Sequence, residues 1–454
     1  MHKRRIATFE EAEDYINQIP RFTSKNTMED TRAFLRRLGN PDKEMRIIHV
    51  AGTNGKGSVC AYLRGILEAA GYCTALFTSP HLVDIRERFV VRGEMVSREE
   101  FLEAFLHIYN LLDGELPETP EAGGPGGDKS GAGPSGYHPS YFEYLFFMAM
   151  VIFAGKAPDY CILETGLGGR LDATNAVSGK ELSVITRIGL DHVEILGDTV
   201  TEIAWEKAGI MHPGAPAVFW DTCPETTSVF RSRAAELGIL AYSVSESDYS
   251  FSNFKRKTID FCIHTEYYNY VGLSLGTIAR YQMENCALAV RAAEVLDGGR
   301  TITGEHIKQG VSGCFWAGRM EEALPGFYVD GAHNGDGVRA FLETVASDGH
   351  TGGRTLLFGV VKDKDYGRMA GELAASGLFD RIAVTGMRTG RAVAAGELAG
   401  LLEAYPGVDF RIYGNVDSAV RRLLRERREG ERIYAAGSLY LVGEIKELLE
   451  DDKF

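Results

Sequence analysis

Short apolar runs and longer helical stripes alternate along the first half of the chain. "MRIIHVAG" (45–52) is a strand-like run that ends in glycine, and "YCTALFTSPH" (72–81) is another with a polar end. Between them, from Gly57 to Ala70, apolar positions recur with a helical period. "DYCILETG", "LSVITRIG" and "APAVFW" repeat the short-run pattern, each followed by turn chemistry. Strands apolar on both faces and separated by helices predict a mostly parallel sheet covered on both sides. The longest apolar stretch, "YLFFMAMVIFAG" (144–155), is too short to span a bilayer and predicts a buried helix. The last third restarts the alternation with "RTLLFGV", "RIAVTGM", "DFRIYG" and "RIYAAGS", with helical stretches such as "SAVRRLLRERR" between them.

The expected fold class is therefore α/β. A P-loop-containing, mostly parallel sheet domain is expected over residues 1–312, and a smaller Rossmann-like α/β domain over 313–454. The join is expected near 300–315. Residues 114–139, dense in Gly and Pro without apolar periodicity, predict a surface insertion with no catalytic role.

Length supports two domains, since 454 residues exceed one ordinary core. A formal net charge of −14 argues against nucleic acid or an anionic membrane as the main partner, because both reward basic surfaces. The seven cysteines are odd in number and form no CxxC pair, so neither a zinc site nor a disulfide framework is expected. The basic N-terminus "MHKRRIATFEEAEDYI" lacks the apolar core of a signal peptide. Together these features predict a cytoplasmic protein.

"HVAGTNGKGSV" (49–59) carries the first candidate chemistry. A strand runs into a glycine-rich turn and then a helix, so backbone N–H groups and the positive helix end can cradle phosphate. Lys56 can reach a β- or γ-phosphate, and the Ser58 hydroxyl is placed for Mg²⁺. Gly57 separates the two, unlike the common GxxxxGK[ST] loop. In an open parallel sheet, ligands bind beyond the carboxyl ends of the strands. Ser79, Glu164 and the pair Asp191/His192 follow such ends and together would suit a hard cation on phosphate oxygens. A second glycine-rich loop, "ETGLGGRLDATN" (164–175), adds Arg170, Asp172 and Asn175. "GDTVTEIAWEKAGIM" (197–211) predicts an amphipathic helix, on which the pattern alone favours a snorkelling Lys207.

The motifs "HVAGTNGKGSV", "FTSPHL", "SYFEYL", "ETGLGGRLDATN", "ITRIGLDH", "EIAWEKAGI", "DGAHN", "DKD" and "GSLYLVGE" resemble, in this order, those of the folylpolyglutamate synthase and dihydrofolate synthase family of Mur-type ATP-dependent ligases. The resemblance runs from about residue 8 to 446, apart from the Gly/Pro insertion. It implies that ATP phosphorylates a substrate carboxylate and that the amine of L-glutamate displaces phosphate from the acyl phosphate. It also implies a Mur ligase central-domain-like sheet.

Gly52, Thr53, Asn54, Gly55, Lys56, Gly57 and Ser58 resemble the ATP-phosphate segment, with Asn285, Arg319 and Asp330 as further nucleotide contacts. Ser58, Ser79, Glu164 and His192 resemble magnesium-site residues for two Mg²⁺ ions, with a monovalent cation as a further candidate. Lys207 resembles a lysine carbamylated by CO₂, which sets aside the snorkelling reading, and His333 a catalytic histidine of the second domain. Ser140, Tyr141 and Phe142, with Leu171, Asp172 and Ala173, match the pterin-substrate segments. "WAGR" and Gly335 depart from the usual "WPGR" and proline, without loss of a chemical group.

The implied partners are ATP, L-glutamate and a reduced folate or dihydropteroate, acting on a monomer. Two alternatives stand beside this reading: a Mur-type ligase for another carboxylate acceptor, and a nucleotide-binding paralogue without ligase activity. "SPHL" with "LGGRLDATN", and the expected lack of an N-terminal UDP-binding domain, favour the folate branch.

Overall fold

The computed structural model describes residues 5–20, 26–112, 137–255 and 257–451. Most of the proposed insertion, 114–136, lies outside the described residues. Eight strands build the large sheet: β1 (Ile47–Ala51), β2 (Thr74–Phe77), β3 (Phe89–Val91), β4 (Glu94–Met95), β5 (Tyr160–Glu164), β6 (Lys180–Ile185), β7 (Ala217–Trp220) and β8 (Ala241–Val244). Their order is β4-β3-β2-β5-β1-β6-β7-β8. The stretch from β2 to β8 is parallel, and β3 and β4 extend it as an antiparallel edge.

The continuous apolar runs are explained by burial: every residue of β1, β2, β5 and β7 is buried. Helices Phe9–Gln18, Arg98–Leu111 and Tyr141–Lys156 pack on one face over a core that includes Phe101, Phe105 and Phe146. Helices Lys56–Ala69 and Tyr281–Asp297 cover the other. The "YLFFMAMVIFAG" run is thus a core helix, apolar all round, as expected of a helix buried on every side.

Three strands were not legible as a unit in the sequence. β9 (Tyr249–Lys255), β10 (Thr258–His264) and β11 (Asn269–Leu275) form an antiparallel sheet packed beside the helix Tyr281–Asp297. β9 shows no buried position, so hydropathy gives it little signature.

The smaller sheet comprises β12 (Glu321–Leu324), β13 (Phe327–Val329), β14 (Arg354–Phe358), β15 (Arg381–Thr385), β16 (Asp409–Tyr413) and β17 (Arg432–Ala436). Its order is β12-β13-β17-β14-β15-β16, parallel except for β12. Helices cover both faces. Ile278 and Ala279, which precede the helix Tyr281–Asp297 of the large lobe, belong to the core of this small lobe. That helix is therefore gripped by both lobes, and its first turn sits at their junction.

Among the described residues no helix is long and apolar enough to cross a membrane. All seven cysteines are free thiols.

Candidate active site

The carboxyl ends of β1, β2 and β5, the loop after β6 and the loops of the small sheet enclose a cavity of about 700 Å³. Its floor is the turn between β1 and the helix Lys56–Ala69. Gly55 takes φ +92°, and a Cβ there would lie 2.2 Å from the Asn285 amide oxygen, so only glycine permits this approach. Asn285 is buried; its Nδ2 donates to Gln282 Oε1 (3.0 Å), and Gln282 Nε2 donates to Ser58 Oγ (3.1 Å). Gln282 is a site residue that the sequence reading missed. It lies one turn before Asn285 on a helix whose buried polar positions look apolar only in context. Thr53 and Asn54 donate their backbone N–H groups to the Arg187 carbonyl, which ties the loop to the end of β6.

Two lysines meet over this turn. Lys56 Nζ donates to the carbonyl oxygens of Gly52 (3.1 Å) and Thr53 (3.3 Å). Lys207 Nζ, 4% exposed overall, donates to the same Gly52 carbonyl at 2.9 Å. Lys207 does not snorkel: its helix, Val200–Ala208, turns it inward beside Ile203, Ala204 and Ala208. Burial, with the adjacent Lys56 charge, lowers its pKa to about 7.

Glu164 closes the side of the cavity. Its Oε2 accepts from Ser79 N (3.0 Å), and burial raises its pKa against the opposing pull of Lys56, Ser79 and two arginines. Among the described residues no three His, Cys, Asp or Glu side chains converge as a metal cage. Ser58, Ser79, Glu164, His192 and Lys207 do all line the cavity. One carboxylate and hydroxyls suit Mg²⁺, which takes most of its remaining ligands from water and substrate phosphate.

The opposite wall comes from the small lobe. Asp191, in the loop after β6, gathers most of it. Lys364 Nζ lies 2.5 Å from Asp191 Oδ1, His333 Nε2 lies 3.6 Å from Oδ2, and Asn334 Nδ2 donates to Oδ2 at 3.0 Å. Burial alone would raise the Asp191 pKa, but His333, Lys364 and His192 outweigh it and hold the carboxyl well below its usual range. Asn334 and Asn54 exchange amide hydrogen bonds at 3.0 and 3.2 Å, so the glycine-rich turn after β1 is joined directly to the small lobe.

His333 Nδ1 donates to the Gly331 carbonyl (2.7 Å), which leaves Nε2 facing the cavity. Burial first, then the nearby Lys364 charge, lowers its pKa to about 4. His192 has its pKa lowered by burial, against Asp191. Asp330 accepts from Tyr281 Oη (2.5 Å) and from the backbone of Met320 and Ala332, with Arg319 beside it in the cavity lining. Lys364, Tyr281 and the Arg187–Glu284 pair (2.6 Å) were not singled out by sequence reasoning. The "DKD" motif contained Lys364, but the tertiary contact with Asp191 was invisible.

The pterin segments sit next to the cavity rather than in its lining. Ser140 caps the helix Tyr141–Lys156, accepting from Glu143 N, and Tyr141 is buried under the Arg88 guanidinium. The Phe142 ring abuts Gly166, which does line the cavity; a Cβ on Gly166 would lie 2.7 Å from that ring. Leu171 is 67% exposed, whereas Asp172 and Ala173 are buried. The Asp172 carboxylate points into its own loop.

The overall fold and the second lobe have counterparts in known proteins. Residues 318–439 match the family model of the Mur ligase glutamate ligase domain. The chain is 32% identical over 452 residues to the dihydrofolate synthase/folylpolyglutamate synthase of Bacillus subtilis, covering 98% of this chain and all of that one. The chain belongs to this family. A folylpolyglutamate synthase of Arabidopsis thaliana is 35% identical across 68% of this chain and 53% of its own length. Among solved structures, Escherichia coli FolC in complex with DHPP and ADP superposes with a TM-score of 0.83, at 25% identity over 98% of both chains. Thermotoga maritima folylpolyglutamate synthase gives 0.79 at 27% identity, over 98% of this chain and 97% of that one. The family's two-lobed architecture accounts for the position of the cavity at the lobe junction.

Proposed function

We propose that this chain is an ATP-dependent ligase that joins L-glutamate to a folate-type carboxylate through an acyl phosphate, acting as a folylpolyglutamate synthase and, with dihydropteroate as acceptor, as a dihydrofolate synthase. The observation that carries this reading is the meeting of Lys56 and Lys207 on the Gly52 carbonyl, inside a cavity lined by both lobes. Family membership supports the chemistry, and the ADP bound to Escherichia coli FolC supports ATP as co-substrate.

In this reading residues 1–312 bind ATP and residues 313–454 form the glutamate ligase unit. The segment Gly52–Ser58 wraps the phosphates and Lys56 compensates their charge. Asn285, Arg319 and Asp330 are further contacts to the nucleotide. Mg²⁺ held by Ser58, Ser79, Glu164 and His192 would neutralise phosphate oxygens. Lys207 carries a carbamate: its neutral amine forms the N–C bond to CO₂ and loses a proton, turning a cation into an anion fit for a second Mg²⁺. The pKa lowered to about 7 supports this, because only the neutral amine reacts.

His333, neutral and with an unprotonated Nε2 facing the cavity, is placed to accept a proton there. The catalysis is positioning and charge compensation, as for phosphoryl transfer in general. Ser140–Phe142 and Leu171–Ala173 form the acceptor site, with Phe142 as a stacking surface for the flat heterocycle. The protein acts in the cytoplasm as a monomer.

The test is an assay of purified protein with Mg-ATP, labelled L-glutamate and either dihydropteroate or a reduced folate. Glutamate incorporation with matching ADP release, only when a pterin acceptor is present, is the expected result. ATP turnover without acceptor, or nucleotide binding without turnover, would overturn it.

A further inference from the structure

His49 is buried in the middle of β1, three residues before Gly52 of the glycine-rich turn, and nothing in the chemistry above uses it. Its Nε2 lies 2.8 Å from Thr174 Oγ1. Thr174 Oγ1 in turn donates to Asp172 Oδ1 at 2.5 Å. The threonine proton is thereby committed, so Thr174 accepts from His49, which must carry its hydrogen on Nε2. His49 Nδ1 is buried without a hydrogen-bond partner, consistent with a ring held for its one donor.

Asp172 is the hub of this chain of bonds. Its Oδ1 also accepts from Thr174 N (3.0 Å), and its Oδ2 accepts from Gly166 N and Leu167 N, both at 2.9 Å. Gly166 and Leu167 lie two and three residues after Glu164 and form cavity wall. Gly166 is also the surface on which the Phe142 ring rests. The bonds thus run from the strand that feeds the phosphate turn, through His49, Thr174 and Asp172, to the backbone beneath the acceptor segments. A buried carboxylate with four donors is rigid only while each donor is held in place.

We propose that His49 is a positioning residue for the acceptor site: through Thr174 it orients Asp172, which clamps the Gly166–Leu167 backbone and so sets the surface that receives the substrate's flat ring system. This rests on the ligase reading above for its substrate, but the clamp itself does not. Three variants test the clamp. His49→Leu removes the donor, and His49→Gln keeps an amide N–H at similar reach. Thr174→Val cuts the same link from the other side.

The first readout is hydrogen–deuterium exchange of the 164–174 segment, which needs no substrate. Faster exchange at Gly166, Leu167 and Thr174 is expected in His49→Leu and Thr174→Val, with near-native exchange in His49→Gln. The second readout is kinetic. In His49→Leu and Thr174→Val, KM for the pterin acceptor should rise about tenfold while KM for ATP stays within about twofold, the size expected for loss of one buried hydrogen bond. The double variant should be no worse than Thr174→Val alone, and His49→Gln should recover most of the loss seen in His49→Leu.

Unchanged exchange in this segment would overturn the clamp, whatever the assay shows. Altered exchange with KM for ATP and acceptor rising in parallel would overturn the acceptor-specific role. If wild-type protein shows no acceptor-dependent turnover, the ligase reading fails while the exchange experiment still judges the clamp. Should His49→Leu not fold, Thr174→Val carries both measurements.

Discussion

Lys207 and Lys180 are the same residue in two different predicaments. Both are driven toward a neutral amine, with pKa lowered to about 7, and in both the first cause is burial. Lys180 opens β6, at the amino end of the large sheet, where its Nζ contacts the Asn175 amide oxygen and, at 3.5 Å, the Ile210 carbonyl. Lys207 lies at the opposite end, over the phosphate turn and facing open volume, with a second ammonium beside it on the same carbonyl. A perturbed lysine therefore does not mark a site by itself. What distinguishes the two is the carboxyl edge of a parallel sheet, where strand ends leave room for a ligand.

The contrast can be attacked from its strongest side. Lys56→Ala removes the charge that the proposed mechanism sets against phosphate, and glutamate-dependent ADP release should fall by about a hundredfold or more; near-native rates would dissolve the special status of this edge. Lys207→Ala should reduce turnover by about a hundredfold as well, with partial restoration by a short-chain carboxylate added to the assay. Its thermal stability should not fall, because a poorly solvated amine has been removed. Unchanged turnover would make the two lysines equivalent.

Lys180→Met should leave turnover within about twofold of wild type and alter only the pH dependence of stability. The sign follows from the lowered pKa. Between about 7 and the unfolded value of about 10.4 the unfolded chain holds the extra proton, so Lys180 makes stability rise with pH across that window. Tm measured at pH 6.5 and 9.5 should therefore differ less in the variant than in wild type. The smallest effect belongs to a charge in water: Arg36→Ala breaks an exposed pair with Glu29 (2.7 Å) and should cost under about 0.5 kcal/mol by chemical denaturation. A larger loss would mean that exposed pairs deserve the weight given to buried ones.

The sequence revealed much of this arrangement because its local signals agree with its tertiary ones. Each short apolar run named at the outset became a strand and the longest became a helix, and Gly55, Lys56 and Ser58 mark the turn after β1 by composition alone. Lys207 shows where this ends. Helical periodicity left it between solvent and core, and only the neighbouring Gly52 carbonyl, 155 positions away in sequence, explains its burial. Asp172 is similar: a carboxylate in a glycine-rich loop invites a ligand-binding reading, yet its oxygens are engaged by four donors from its own loop. Gln282 and Lys364 carried no local signal, since a glutamine in a helix and a lysine in a loop acquire meaning only through Ser58 and Asp191. The β9–β11 sheet stayed hidden because half its surface faces water.

Ile278 and Ala279 bear on how the protein can be taken apart. Severing the chain at 312/313 would not yield two self-sufficient halves. The C-terminal fragment would then lack two apolar side chains that fill its own interior, and the N-terminal fragment would carry them, just before the helix Tyr281–Asp297, without their small-lobe partners. Recombining the pieces would restore the fit, so this enzyme is better dissected by complementation than by expressing either half alone.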